Sequence, residues 1–542
     1  MLNRFCIIVP LILLTLLCLG CGSEDVRSTG REKIDLIYSR GADADRLDPI
    51  HTDNGETVKV MVNIYDTLVT YNARTTQLVP SLATEWSHTD DNLTWTFKLR
   101  EGVLFHDGTE LDADAVVFNF QRLTQKDHPY RIHEQVPMEP NYAVIESVTA
   151  SDPLTVVFQL KHTSAVFLEN MAIYSASIVS PTALKERGES FVSWPCGTGP
   201  FMLAKRSDWK LGQQLVLTAF DDHWRGRPNV DRLIFKPNKE SGIREENIRR
   251  GNTHIADNLP PQAVNRLKQE PGIVVQMQPG QNVAYLTMQN EHPPLDNVKV
   301  RRAIAMGIDK QELIHVAYGG SGRAAVNIVP PTIWGAATDI EPYPHDVEAA
   351  KALLAQAHEE DGVPLPIELK LAYMQTERPY MPMPQQTATF IKDELQKIGI
   401  KITMEPPMEN SLFFQRMSAG EHDLGLIGWS SDINDPDNFL YSLMHSDNIT
   451  SSGGNNLSRY RNDEFDALVM AAKRELDRDK RKEMYRKAQQ IMFDDVPTLP
   501  LVHTDVRIVL RDYIKGYRLH PTSMVRLRQT YFEKQEEGAN DE

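Results

Sequence analysis

Two periodicities divide the chain into segments. Apolar and polar residues alternate over residues 34–38 and through Thr94-Trp95-Thr96-Phe97-Lys98-Leu99, where strands are predicted, the second followed by Gly102 and Asp107-Gly108 turns. Residues 58–69 repeat apolar groups at helical spacing. Asp112-Ala113-Asp114 opens another helix, its carboxylates placed at the positive end of the helix dipole. Residues 155–160, 215–220, 233–236 and 273–277 are further predicted strands. From about residue 282 the pattern changes. Strands over 283–288, 367–373, 400–404 and 424–429 alternate with a helix capped by Asp296 and with helices over 385–398 and 412–417. Such βαβ alternation predicts a largely parallel sheet. Two charged helices (464–476 and 480–493) and two strands (498–502 and 506–510) follow.

The first residues read differently. Arg4 precedes a run over 5–19 broken only by Pro10 and Thr15. A spanning helix needs about 20 apolar residues, so this run fits the apolar region of a signal peptide, residues 1–20. Leu17-Cys18-Leu19-Gly20-Cys21-Gly22-Ser23 resembles a bacterial lipoprotein cleavage site, with Cys18 where Leu is usual. That reading makes Cys21 the lipidated residue and 21–33 a polar tether reaching roughly 20 Å. A plain signal peptide cut nearby is the competing reading.

At 542 residues the body divides into more than one domain. With 58 Lys+Arg against 74 Asp+Glu the net charge is -16, and no basic cluster interrupts it, which excludes nucleic acid or an anionic membrane surface as the main partner. Three of the four cysteines fall in the first 21 residues. Cys196 is left alone in the body as a packing residue, without a disulfide or a cysteine metal site. No His-Glu-x-x-His, Gly-x-Ser-x-Gly or phosphate-loop motif occurs, and Gly319-Gly320-Ser321-Gly322 lacks the final glycine of a nucleotide fingerprint. No catalysis, cofactor or metal is therefore expected.

The densest chemistry lies in Gly428-Trp429-Ser430-Ser431-Asp432-Ile433-Asn434-Asp435-Pro436-Asp437-Asn438-Phe439. A buried strand delivers a Trp and an acidic loop before a helix begins, a common way to display side chains in a cleft. Trp beside a carboxylate suits an ammonium group. The competing reading is structural: Asp435-Pro436-Asp437 is good turn chemistry, and Asp437 or Asn438 is a natural N-cap. Calcium is a poor match, because no twelve-residue loop closes on a Glu.

Several stretches in order carry a resemblance. They are Trp95 to Val103 with Phe105-His106-Asp107-Gly108, Asp112 to Val117, Gly197-Thr198-Gly199-Pro200-Phe201, and Leu295 to Ala303. Together they resemble the extracellular solute-binding proteins of peptide and nickel ABC transporters. Glu377-Arg378-Pro379-Tyr380 and the Trp429–Asp432 loop resemble its dipeptide-binding branch, with Ser430-Ser431 in place of the usual Thr-Gly. The resemblance implies an α/β fold of two lobes, the type II periplasmic-binding-protein architecture, with an extra subdomain in the first lobe and a hinge between them. Lobe 1 would cover 34–281 with the subdomain at about 60–195, lobe 2 would cover 282–499, and 500–532 would return to lobe 1 before an acidic tail, 533–542. Asp432 would hold a dipeptide's α-ammonium and Arg378 its α-carboxylate. Tyr380 and Trp429 would flank the ligand, and Asn54 and Gly55, in Asp53-Asn54-Gly55, would present backbone groups from lobe 1. It further implies a monomeric envelope lipoprotein that delivers peptides to a permease with separate ATPase chains. The same fold with another cargo (longer peptides, glutathione, haem or a nickel chelate) stays open, as, more remotely, does an enzyme or a signalling or chaperone lipoprotein.

Overall fold

The computed structural model describes residues 33–72, 75–133, 136–450 and 454–533. The signal segment, Cys21 with nearly all of the tether, and the acidic tail beyond residue 533 lie outside the described residues.

Two sheets organise the body. The first has eight strands, with Ile273–Pro279, Asp505–Arg511, Ile255–Ala256, Asp35–Arg40, Arg232–Pro237, Gln214–Ala219 and Phe201–Met202 in spatial order and Trp209–Lys210 beside Gln214–Ala219. The second has six: Arg323–Ala324, Thr498–His503, Asn282–Met288, Leu424–Ser430, Ile367–Tyr373 and Ile400–Met404. A separate four-stranded antiparallel sheet, Ala83–His88, Thr94–Leu99, Thr155–Leu160 and Ile145–Asp152, forms the subdomain between strands of the first sheet.

The second sheet is covered on both faces, which its strands announce as near-continuous apolar runs. Along Asn282–Met288, Val283 and Tyr285 enter one core while Ala284, Leu286 and Met288 enter the other. The expectation of a largely parallel sheet needs correction. Ile367–Tyr373 pairs in parallel with Ile400–Met404 and Leu424–Ser430, but Asn282–Met288 runs antiparallel to both of its neighbours. The reason is topological: the chain crosses from the first sheet into Asn282–Met288, and it leaves Thr498–His503 for the first sheet again.

The chain passes between sheets twice. Gly280 and Gln281 link strands of different sheets, as does Thr504. The return thus falls at Thr504, a few residues beyond the boundary read from the sequence. The two crossings bond to each other: Gly280 N donates to Thr504 O at 3.1 Å, and Thr504 N donates to Asn282 Oδ1 at 2.9 Å. Two hydrogen-bonded strand ends of this kind make a hinge.

Two local expectations also change. The helix read over 58–69 is Gly55–Met61, followed by turns and the strand Val69–Tyr71. It stops because the carbonyls of Asn63 and Ile64 accept from Phe201 N and Gly199 N, both at 2.9 Å. Asn297, not Asp296, caps the helix Val298–Gly307, its Oδ1 accepting from Lys299 N at 2.8 Å.

Candidate functional site

Strand Leu424–Ser430 places the acidic loop at the lobe boundary. It pairs antiparallel with Asn282–Met288, bringing Val283 opposite Trp429. Ser431 N then donates to Gln281 O at 2.8 Å, which ties the loop to the first crossing. Gly428 is obligatory: a Cβ there would lie 2.3 Å from Tyr380 Cδ2 and 2.4 Å from Val283 O.

The loop's three carboxylates have different fates. Asp435 is buried against Arg481, whose Nη2 donates to both of its oxygens at 2.9 and 2.8 Å, and Tyr485 Oη adds a bond of 3.2 Å. Asp437 is buried 3.5 Å from Lys473 Nζ. Both belong to the packing of lobe 2 and do not converge on a cation site. Asp432 is left without an ion pair among the described residues. Asn438 orients it: Asn438 Oδ1 accepts from Trp429 Nε1 at 2.9 Å and Asp432 N at 3.0 Å, while Nδ2 donates to Asp432 Oδ2 at 3.4 Å. Neither Asp437 nor Asn438 acts as the N-cap. Asp435 Oδ1 accepts from Asp437 N at 3.0 Å, which leaves the Asn438 amide for the loop.

Burial, reinforced by the Asp53 charge, pushes the Asp432 carboxyl up to about 7 against the Asn438 hydrogen bond. Asp53 comes from lobe 1, just before the helix Gly55–Met61. Asp53 keeps exposed surface, yet the surrounding protein partly desolvates its carboxyl and raises it, with Asp45 adding to the effect and Arg378 opposing it. Two carboxylates from opposite lobes therefore lie within electrostatic reach of each other.

Arg378 supplies the opposite charge. It lies in the loop between strand Ile367–Tyr373 and helix Pro384–Lys397, where its backbone and that of Met381 exchange hydrogen bonds of 3.0 Å. Its Nε is buried with no hydrogen-bond partner. Its sequence neighbour Glu377 meets Arg244 of lobe 1 at 2.9 Å. Arg378 influences Asp53 but is not among the charges that move Asp432. Asp53 is thus in electrostatic reach of both charged groups of lobe 2.

The remaining expected residues divide. Trp429 is half-buried beside the loop. Asn54 caps its helix, accepting from Glu56 N at 3.0 Å, and a Cβ on Gly55 would meet nothing within 4 Å, so Gly55 faces open space. Tyr380, expected to flank the ligand, is 9% exposed and packs in the lobe 2 core with its ring against Gly428. The core claims it because strand Leu424–Ser430 has no side chain at Gly428 to fill that space.

Four residues take roles that the sequence reading did not assign to them. Asn438 builds the loop and Asp53 charges the cleft. Tyr174 of lobe 1 has a buried hydroxyl without a partner and is influenced by both Asp432 and Asp53. Glu169 accepts from Tyr71 Oη at 2.6 Å and is pushed up to about 7, chiefly by burial. Only Asn438 carries a local signal, six positions after Asp432. The others lie hundreds of residues away.

The model for bacterial extracellular solute-binding proteins, family 5, matches residues 77–451. The chain belongs to this family. A dipeptide-binding protein of Pseudomonas aeruginosa is 33% identical over 90% of this chain and 93% of its own length. Heme-binding protein A of Haemophilus influenzae is 34% identical, over 84% of this chain and 85% of its own. In structure, the chain is similar to an ABC-transporter-associated periplasmic binding protein of Helicobacter pylori in complex with the peptide STSA, with a TM-score of 0.85, 31% identity, and coverage of 93% and 99%. The two-lobed solute-binding architecture follows.

Proposed function

We propose that this family 5 solute-binding protein captures short peptides, dipeptides foremost, by their two charged ends and delivers them to an ABC permease without chemical change. The observation that carries the reading is the pair of separated, unsatisfied charges: the Asp432 carboxylate, raised and without a cation, and the Arg378 guanidinium with a buried unpartnered Nε. A buried charge without its counterpart is costly, so each invites a ligand group of opposite sign. A dipeptide zwitterion offers an ammonium and a carboxylate a few bonds apart. Arg suits the carboxylate because its planar fork binds two oxygens at once. Asp53 adds negative charge at the ammonium end, and Tyr174 offers a hydroxyl there. The similarity to dipeptide-binding and peptide-bound relatives supports the same reading. Side chains of the ligand would vary by using water-filled space.

Calorimetric titration with a mixed dipeptide set, tri- to pentapeptides, glutathione, nickel-histidine and haem tests it. Tight dipeptide binding, abolished in Asp432→Ala, is expected. Silence toward dipeptides with a response to haem would replace the cargo and leave the fold-level assignment standing. Lipidation of Cys21 completes the proposal, supported by the cleavage-site pattern alone. The mass of the mature protein from an expressing bacterium is expected to begin at an acylated Cys21, and a lipid-free N-terminus would refute the anchor.

A further inference from the structure

Lobe 1 holds a cavity of about 230 Å³ whose lining includes neither Asp432 nor Arg378. That is ample for a small organic acid. Its charged lining is lopsided: Arg225, Arg518, Arg526 and Arg528 face a single carboxylate, Asp66. Asp66 is already engaged, with Oδ2 accepting from Thr198 Oγ1 and Trp224 Nε1, both at 3.0 Å, and lying 3.7 Å from His223 Nε2. Among the described residues none of the four arginines forms an ion pair with a carboxylate.

Their contacts are neutral instead. Arg526 Nη1 donates to Tyr71 O at 3.0 Å, Arg528 Nη1 to Arg225 O at 3.1 Å, and Arg225 Nη2 to Pro80 O at 3.2 Å. Arg225 also stacks on Trp224 at 4.2 Å. Burial and the neighbouring Arg225 push Arg526 down to about 10. Several positive charges around one cavity repel each other, and an anion entering it would relieve that penalty.

The cavity shares a wall with the clamp. Tyr71 and Tyr174 line it, and the Asp432 charge reaches both phenols. The Asn434 backbone, two residues past Asp432, lies against the Tyr71 phenol.

We propose that this arginine-lined cavity is a second binding site, taking a small anionic group: a free dicarboxylate or phosphate, or the acidic side chain of a peptide held by the clamp. A guanidinium cluster recognises either source through the same paired N–H to oxygen bonds. The peptide source rests on the clamp reading, whereas the free-anion source does not.

The test is titration of the purified full chain, in an uncharged buffer at low salt, with succinate, inorganic phosphate, Ala-Ala and Glu-Ala. Binding of succinate or phosphate without peptide would assign the site to a free anion. Tighter binding of Glu-Ala than of Ala-Ala would assign it to the ligand's side chain. In either case Arg526→Gln and the rim variant Arg225→Gln, an exposed position that spares the fold, each weaken the anion or the Glu-Ala preference roughly tenfold, with Ala-Ala unchanged. The proposal is overturned if the wild-type protein ignores both free anions and ranks Glu-Ala with Ala-Ala, or if anion binding survives both substitutions. Ala-Ala with Asp432→Asn reads the clamp separately, so failure of one site is not mistaken for failure of the other.

Discussion

Asp432 shows how one residue serves function at a cost to the fold. Its carboxyl titrates at about 7 in the folded protein because burial and Asp53 disfavour the charge, whereas an unfolded Asp titrates near ~3.9. Between those values the folded chain keeps a proton that the unfolded chain has lost. Stability is therefore greatest below the window and falls as pH rises through it. Asp432→Asn is expected to raise the melting temperature of the ligand-free protein above pH 7 and to abolish dipeptide binding. For the wild type, a ligand ammonium needs the charged carboxylate, so affinity falls by about tenfold per unit as pH drops below about 7, and binding at pH 7 releases about half a proton per site into the buffer. Scanning calorimetry and titration in two buffers of different ionisation heat measure both effects. A flat affinity between pH 5 and 8, or a less stable Asn variant, would remove Asp432 from its assigned role. The sequence alone could not choose among Asp432, Asp435 and Asp437. The choice is made by Arg481 and Lys473, which arrive from helices later in the chain and neutralise the other two.

At the scale of elements, the readable parts are those whose neighbours act locally. Strands covered on both faces, such as Ile367–Tyr373 and Leu424–Ser430, are continuous apolar runs, and their limits follow from turn residues. The helix Gly55–Met61 was overextended because its end is set by Gly199 and Phe201, more than a hundred residues on. Sheet direction failed for the same reason, since crossings from the other lobe leave no local mark. Two glycines at the site make a contrasting prediction. A methyl on Gly55 meets nothing within 4 Å, so Gly55→Ala should change stability by less than about 0.5 kcal/mol. Because that space adjoins the helix start facing the cleft, the same methyl should weaken dipeptide binding roughly tenfold. Gly428→Ala would drive its methyl into Tyr380 and Val283 O, which should destabilise by about 1–3 kcal/mol. Denaturant unfolding with titration separates the cases, and a destabilised Gly55→Ala variant would show that the position is structural.

For the whole molecule the question is what holds the lobes together. Arg244, at the start of the lobe 1 helix Ser241–Arg249, reaches Glu377 of lobe 2 at 2.9 Å, next to Arg378. Its position does not depend on that partner: Nη1 donates to Asn238 O at 2.7 Å and to Lys239 O at 3.1 Å, and Nη2 also bonds Asn258 O. A second bridge joins the subdomain to lobe 2, with Ala165 N donating to Lys473 O at 2.9 Å and Thr163 Oγ1 to Arg474 O at 3.0 Å. These bonds exist only when the lobes meet, so each favours closure and, through it, ligand affinity. Glu377→Gln keeps the shape and removes the charge while leaving Asp432 and Arg378 in place. It is expected to enlarge the radius of gyration of the ligand-free protein in X-ray scattering, to weaken dipeptide binding roughly tenfold, and to do so mainly through faster release. A slower association with unchanged release would place Glu377 in the recruitment of ligand, not in closure. An unchanged radius together with unchanged affinity would leave the Arg244–Glu377 pair as an ordinary surface contact, and closure would then have to come from the ligand's own bridge between Asp432, Arg378 and the Asp53–Gly55 turn.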